Sequence, residues 1–242
     1  MERSVARRVL DIAETAIAVV LRGKFAALAK SAALAVGVTL PAMPLLKHTY
    51  LLFAFVLLVL LWVRVRGEKW ADFGISIPRN WPLYILFGVA LAVFEVMFDG
   101  VVRSILTRLI VKWTGANPHL DAETFADIKG NLEIYLIILP SVWVFAAFGE
   151  EAFYRGYLMT RLSQIFGGGG VAWAVAIGGQ AVLFALAHSY QGPVGMVSIG
   201  IGAAVSGAAT LLWKRNLIPV MIAHGLIDTL GFTLLFLGVP IS

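Results

Sequence analysis

Two adjacent carboxylates and an arginine follow a long apolar run in the middle of the chain. The run covers residues 134–148, and Glu150, Glu151 and Arg155 come directly after it. Side chains four residues apart on a helix share a face, so Glu151 and Arg155 are predicted to form an ion pair. Glu150 would point about 100° away from that pair. We therefore expect one carboxylate to be neutralised and structural, and the other to be available for chemistry.

The same charges also fit a membrane boundary, so this stretch alone leaves two interpretations open. An ionisable residue inside a membrane segment is by default a hypothesis for a functional site. Structural ion pairs also gather charges, however, and a helix that ended at Phe148 would leave these residues at the interface with water. Polar residues in the later apolar segments decide between the two interpretations.

Two histidines lie in later apolar segments, each with a partner at helical spacing. His188 follows Phe184 by four residues, and Asp228 follows His224 by four, so each pair is expected to share a helix face. A lone histidine in such a segment is more often a packed side chain than a catalytic one. Together with Glu150, however, these side chains form a set used in general acid–base catalysis.

The three motifs resemble the signature of a known family, the CAAX protease and bacteriocin-processing family. The motifs are Glu150-Glu151-x-x-x-Arg155, Phe184-x-x-x-His188 and His224-x-x-x-Asp228. The family includes the prenyl-protein endopeptidases that cleave CAAX tails. The resemblance covers roughly residues 141–231, and the segment Trp70-x-x-x-Gly74 resembles a less specific loop of the family.

This resemblance implies intramembrane hydrolysis of a peptide bond in a membrane-associated protein or peptide. It implies that Glu150 is the general base and that Glu150 and His188 together activate a water molecule. His224 and Asp228 would polarise the scissile carbonyl and hold the oxyanion. The resemblance thus assigns the free carboxylate a catalytic role.

The resemblance also assigns supporting roles and contains one departure. Glu151 and Arg155 would form the supporting ion pair. Asp228 stands where the prenyl-protein enzymes carry Asn. An aspartate donates a hydrogen bond only when it is protonated, which burial would favour, and it would otherwise orient His224.

The same residues also allow a zinc-dependent mechanism. Glu150, His188 and His224 would then be ligands with a water in the fourth position, and Glu151 would become the candidate base. The sequence lacks a His-x-x-x-His pair, which a zinc-binding helix would supply. We therefore predict hydrolysis without a metal or other cofactor, with zinc as the alternative.

Two classes of non-enzymatic function remain open. An immunity or partner-binding membrane protein could keep the motif residues as a packing network. A small transporter could relay protons through buried Glu and His side chains. The sequence contains no internal repeat that would support the transporter.

The composition predicts that these motifs lie in a polytopic membrane protein. The chain has 242 residues, of which 60% are hydrophobic and 14% charged, whereas a soluble domain is nearer half apolar and a quarter charged. The absence of cysteine excludes disulfides, thiolate metal sites and cysteine nucleophiles. We attribute the net charge of +5 to orientation in the lipid bilayer and not to nucleic-acid binding.

An all-α transmembrane bundle of about seven spans is predicted to position the motifs. The candidate spans lie near residues 28–46, 48–63, 82–98, 132–149, 171–190, 194–213 and 217–238. Residues 5–19 predict an N-terminal amphipathic helix in the interface. We expect a single integral-membrane domain over residues 1–242, with the catalytic core at 141–231.

Basic connections alternate with neutral ones, which predicts the orientation in the cell membrane. By the positive-inside rule, the N-terminus and the connections 64–81, 155–170 and 214–215 face the cytoplasm. An odd number of spans then places the C-terminus outside. Residues 101–113 are predicted to extend the third helix or to lie along the surface.

The connections and the sixth span carry further predictions about the bundle. Gly167 to Gly170 predicts a tight loop, and the small residues crowded into 194–213 predict a helix at the centre of the bundle. With these boundaries, Glu150 lies near the cytoplasmic end of its helix and His188 lies near the outer end of its own. The two side chains would then lie at different depths in the membrane. A joint site therefore requires a fourth helix longer and deeper than 132–149, or a segment 155–172 that dips into the membrane.

Overall fold

Five long helices make up most of the described chain. The structure is a computed structural model that describes Leu61, residues 63–115 and residues 127–239, and this part contains no strand. The helices are α1 (Trp81–Thr114), α2 (Leu132–Ile165), α3 (Gly170–Ala187), α4 (Gly192–Leu212) and α5 (Ile218–Leu237). Two short 3-10 helices, Trp70–Phe73 and Ser189–Gln191, precede α1 and α4.

Each of the five helices is long and apolar enough to cross a membrane, as expected of a multi-pass membrane protein. They correspond to the predicted third to seventh spans. Residues 101–113 continue α1, which confirms the first of the two predicted arrangements for that segment. The predicted N-terminal helix and the span 28–46 lie outside the described residues, as does nearly all of 48–63. The count of about seven spans and the orientation therefore stay predictions.

The main correction concerns the end of α2. The predicted fourth span stopped at residue 149 and treated 155–170 as a connection, but the helix continues to Ile165. The boundary was wrong because the charges that follow were taken to mark water. Arg155 instead pairs with Glu151 inside the helix, and Arg161 pairs with Glu68, so these charges are neutralised within the protein. Only residues 166–169 form the connection, which confirms the predicted tight loop.

The middle of α2 is wound more loosely than an α-helix. Val142–Leu158 is π-helical, and the N–H of Met159 bonds to the carbonyl of Tyr154, five residues earlier. Such segments are rare and occur frequently at functional sites. Residues 151–160 are all buried, so neighbouring helices surround α2 on every side at this level. The first motif from Glu151 to Arg155 therefore lies in a fully enclosed stretch of the bundle, and Glu150 lies at its edge.

Close helix contacts depend on glycine at two positions. A Cβ on Gly88 of α1 would lie 2.7 Å from the side chain of Ile222 on α5. A Cβ on Gly225 of α5 would lie 2.6 Å from the ring of Trp143 on α2. Helix α5 is thereby fixed between α1 and α2, which sets the position of the third motif.

Helix α4 is the most enclosed of the five spans, as its small residues predicted. In its most apolar stretch 44% of the residues are buried, against 11% in the corresponding stretch of α1. Small side chains allow neighbouring backbones to approach closely, so the helix can be surrounded on several sides.

The loop before α1 is attached to the connection between α4 and α5. Gly74 ends the first 3-10 helix with a φ of 83°, and its carbonyl accepts a hydrogen bond from the N–H of Leu217 at 2.9 Å. A Cβ on Gly74 would collide with the carbonyl oxygen of Arg215. Both the backbone conformation and the close approach therefore require glycine at this position.

Candidate active site

Glu151 joins the first motif to the third. Its side chain is 1% exposed, and its Oε1 lies 3.0 Å from Arg155 Nη1 and 2.8 Å from His224 Nδ1. The ion pair predicted from the spacing of Glu151 and Arg155 is therefore confirmed. Because the carboxylate that pairs with Arg155 only accepts hydrogen bonds, Nδ1 of His224 is the donor.

Phe184 touches residues of all three motifs. Its ring centroid lies 4.4 Å from the Arg155 guanidinium carbon, 4.4 Å from the His188 ring and 6.4 Å from the His224 ring. A guanidinium over an aromatic face is attracted by the electrons of the ring. Phe184 thus packs the two histidines and the arginine into one cluster. This contact explains why an aromatic residue stands four positions before His188 in the second motif.

His188 is held by the last turn of α3. Its Nδ1 lies 2.9 Å from the carbonyl oxygen of Phe184, four residues earlier. A carbonyl only accepts, so Nδ1 carries the proton in this contact and Nε2 of the neutral ring keeps a lone pair. The half-buried imidazole can therefore accept a hydrogen bond from a water molecule or a substrate group at Nε2.

His224 and Asp228 occupy the same face of α5, as predicted. His224 Nε2 lies 3.5 Å from Asp228 Oδ2. Asp228 is also close enough to Glu150 and His188 for each to act on it electrostatically. The second and third motifs therefore meet near the carboxylate of Asp228.

Glu150 differs from its neighbour Glu151 in having its oxygens free. It is half-buried and makes no hydrogen bond or ion pair with any residue in the described ranges. It lies close enough to His224, Asp228 and Tyr190 to act on each electrostatically. The geometry thus leaves a carboxylate with open acceptor positions beside the third motif.

The structure brings all of the predicted site residues into one cluster. They are Glu150, Glu151, Arg155, His188, His224 and Asp228. The expected mismatch in depth is resolved because α2 extends to Ile165, which places both glutamates in the middle of a long helix. A fourth helix longer than residues 132–149 was one of the two arrangements that would allow a joint site.

Two polar residues beside the cluster were missed by the sequence analysis. Glu95 of α1 accepts a hydrogen bond from Ser206 Oγ at 2.7 Å and acts electrostatically on Arg155 and His224. A carboxylate inside the predicted span 82–98 was the signal that could have identified it. The ring of Tyr190 lies 5.8 Å from that of His188, and no spacing in the sequence indicated this contact.

The donor geometry does not fit the zinc alternative. A zinc site would use Glu150, His188 and His224, but both ring nitrogens of His224 face carboxylates, at 2.8 and 3.5 Å. In the part of the chain that the structure describes, no three His, Asp or Glu side chains are arranged to hold a metal ion.

Comparison with protein families supports the resemblance that the motifs carry. Residues 132–230 match the family model described as "Type II CAAX prenyl endopeptidase Rce1-like". The match runs from the start of α2 into α5 and includes all three motifs. No curated protein and no solved structure shows a significant match to the chain. Residues 132–230 are therefore similar to the Rce1-like domain, which is consistent with the CAAX protease family that the three motifs resemble.

Proposed function

We propose that this protein is an intramembrane endopeptidase that hydrolyses a peptide bond in a membrane-associated protein or peptide. One observation carries the proposal: Glu151 binds both Arg155 and His224, while Glu150 keeps its oxygens free beside Asp228. The match to a protease family supports hydrolysis as the reaction. The site thus combines a fixed ion pair with an unengaged carboxylate.

In the proposed first step, Glu150 removes a proton from a water molecule that His188 Nε2 helps to hold. The water oxygen attacks the scissile carbonyl carbon, and the carbonyl π electrons move to the oxygen. In this scheme the charge develops beside His224 and Asp228, both of which lie within electrostatic range of Glu150. Positioned proton transfer of this kind typically contributes about 10²–10⁴-fold to a rate.

In the proposed second step, the oxyanion re-forms the carbonyl and the C–N bond breaks. The leaving nitrogen takes the proton that Glu150 received from water. The products are a carboxylic acid and an amine, and Glu150 returns to its carboxylate form. Glu151 and Arg155 make no contact with the reacting atoms in this scheme, and they hold His224 through its Nδ1.

A comparison of membranes tests this function even though the substrate is unidentified. New peptide termini would be compared between cells that contain the wild-type protein and cells that contain Glu150→Gln. We expect one or more membrane proteins to show termini that depend on the wild-type residue. Glu133→Gln, at an exposed position near the start of the same helix, is the matched control and should give the wild-type pattern. Identical termini in all three samples would contradict the proposal.

A separate measurement distinguishes the metal-free mechanism from zinc catalysis. We expect purified active protein to contain no stoichiometric zinc and to keep its activity after treatment with a chelator. In the zinc mechanism, the apo protein would be inactive until zinc returned. Elemental analysis that found about one zinc per chain, with activity lost on its removal, would defeat the metal-free mechanism.

A further inference from the structure

The proposed reaction lacks an evident hydrogen-bond donor for the oxyanion. An ionised Asp228 only accepts hydrogen bonds. His224 uses Nδ1 to bond Glu151, and its Nε2 faces Asp228 at 3.5 Å. Transition-state charge on a carbonyl oxygen is stabilised by donors aimed at it. With Asp228 ionised, the site therefore requires a donor from another residue.

Tyr190 carries a donor at the edge of this site. It belongs to the short 3-10 helix Ser189–Gln191, which begins directly after His188. Its ring centroid lies 5.8 Å from that of His188, and its hydroxyl is close enough to Glu150 and Asp228 for each to act on it electrostatically. The phenol thus lies beside His188 and within electrostatic range of both Glu150 and Asp228.

The hydrogen bonding of Tyr190 leaves its own proton available. Gln191 Nε2 donates to the phenolic oxygen at 3.3 Å, so the oxygen is an acceptor in this contact. The phenolic O–H makes no hydrogen bond to another residue within 63–115 or 127–239. A donor that also accepts a hydrogen bond is polarised by it. The residue as a whole is 51% exposed, so its side chain is not enclosed by the protein.

We propose that Tyr190 is a catalytic residue whose hydroxyl donates a hydrogen bond to the oxyanion, in place of the donor that an ionised Asp228 does not provide. The inference rests on the proposed peptidase function. No proton is transferred to the substrate in this contact: the bond shortens as charge develops on the oxygen and weakens when the C–N bond breaks. Gln191 acts through Tyr190 and is a positioning residue.

The test uses the full-length protein in lipid vesicles with a fluorogenic farnesylated peptide that ends in a CAAX tail. The kcat and KM are measured for the wild type, Tyr190→Phe, Asp228→Asn and the double variant. Removal of one oxyanion donor lowers kcat by about 10²-fold, and we expect this loss for Tyr190→Phe with little change in KM. Asn at position 228 supplies an amide donor, so Tyr190→Phe should lose less than about tenfold in that background.

The control is Tyr84→Phe, which removes the hydroxyl of a tyrosine whose ring packs against Trp213. This variant should keep the wild-type kcat. An unchanged kcat for Tyr190→Phe overturns the inference, as does a higher KM with unchanged kcat. An equal loss in both backgrounds refutes the link to Asp228. If the wild type cleaves neither this peptide nor any membrane protein, the proposed function fails and the inference fails with it.

Discussion

Two buried arginines lie six residues apart on α2, and their surroundings differ. Arg161 is 2% exposed and binds Glu68 with two nitrogens, at 3.1 and 2.5 Å. It also donates to Gln164 at 3.0 Å and lies over the rings of Phe73 and Tyr157. Both oxygens of the carboxylate are used. We call this group the Arg161 cluster, and its contacts attach the loop before α1 to α2.

The second group, the Arg155 cluster, consists of Arg155, Glu151, His224 and Phe184. A single oxygen, Glu151 Oε1, forms the ion pair with Arg155 and accepts the hydrogen bond from His224. The buried atoms Glu151 Oε2 and Arg155 Nε have no hydrogen-bond partner among the described residues. Buried polar groups without partners are rare in native proteins and call for an explanation, of which a catalytic role is one.

The difference teaches that burial of an ion pair does not by itself indicate its role. The Arg161 cluster is bidentate and joins parts of the chain that are 93 residues apart. In the Arg155 cluster only one oxygen of the carboxylate is engaged, and the unengaged Glu150 is the residue before it in the chain. We infer that the first stabilises the fold and that the second holds the reactive groups. Substitutions in each cluster separate these two roles.

The largest effect is expected from Arg155→Ala. The change removes one partner of a buried ion pair and leaves the enclosed Glu151 with His224 alone, and breaking such a pair typically costs about 3–5 kcal/mol. We expect a lower yield of folded protein, a lower Tm and loss of activity, because Glu151, which holds His224 through Nδ1, loses the arginine that pairs with it. Thermal unfolding in detergent measures the stability. A wild-type Tm for Arg155→Ala would show that the pair does not stabilise the fold.

A smaller loss of stability is expected from Arg161→Ala. Glu68 is 20% exposed, so water can reach its carboxylate, and the cost should fall near the lower end of the range, about 3 kcal/mol. The remaining folded protein should keep the wild-type activity per molecule, because the residues that Arg161 binds, Glu68 and Gln164, are not among the proposed catalytic groups. Thermal unfolding and specific activity, measured on the same preparation, check both expectations. A specific activity as low as that of Arg155→Ala would remove the distinction between the clusters.

The smallest effect is expected from Ser206→Ala. The serine donates to Glu95 Oε1, and the loss of a hydrogen bond to a charged group costs about 1.5–3 kcal/mol. Ser198→Ala is the matched control, because Ser198 donates to Asp99 in the same way from the same helix. Asp99 is 42% exposed and keeps Arg103 as a partner, so the control should lose less stability. Equal changes in Tm would indicate that Glu95 is no less solvated than Asp99.

Helical spacing made part of the site predictable from the sequence. Residues four apart on a helix meet whatever the rest of the fold does. This rule gave the contact between Glu151 and Arg155, and it placed His224 beside Asp228. The hydrophobic stretches likewise gave the positions of all five described helices, because a span requires about 20 apolar residues.

Contacts between distant parts of the chain were not predictable in this way. The bond from His224 to Glu151 joins residues 73 apart, and no local pattern encodes it. The true end of α2 was hidden for the same reason, since the partner of Arg161 is Glu68, far away in the sequence. A hydropathy pattern counts a charge as polar and does not record whether another residue neutralises it. Glu95 was overlooked because a single carboxylate barely lowers the hydropathy of a long span.

In the proposed mechanism Glu150 is the general base, whereas Glu151 pairs with Arg155 and holds His224. One paired measurement tests this division of roles most directly. Peptidase activity and Tm would be measured for Glu150→Gln and Glu151→Gln, two changes that remove a charge and keep the shape. We expect Glu150→Gln to lose about 10²–10⁴-fold in rate with a wild-type Tm, because its oxygens bond to nothing in the described fold. We expect Glu151→Gln to lower the Tm, because Arg155 loses its partner. Undiminished cleavage by Glu150→Gln would contradict the account.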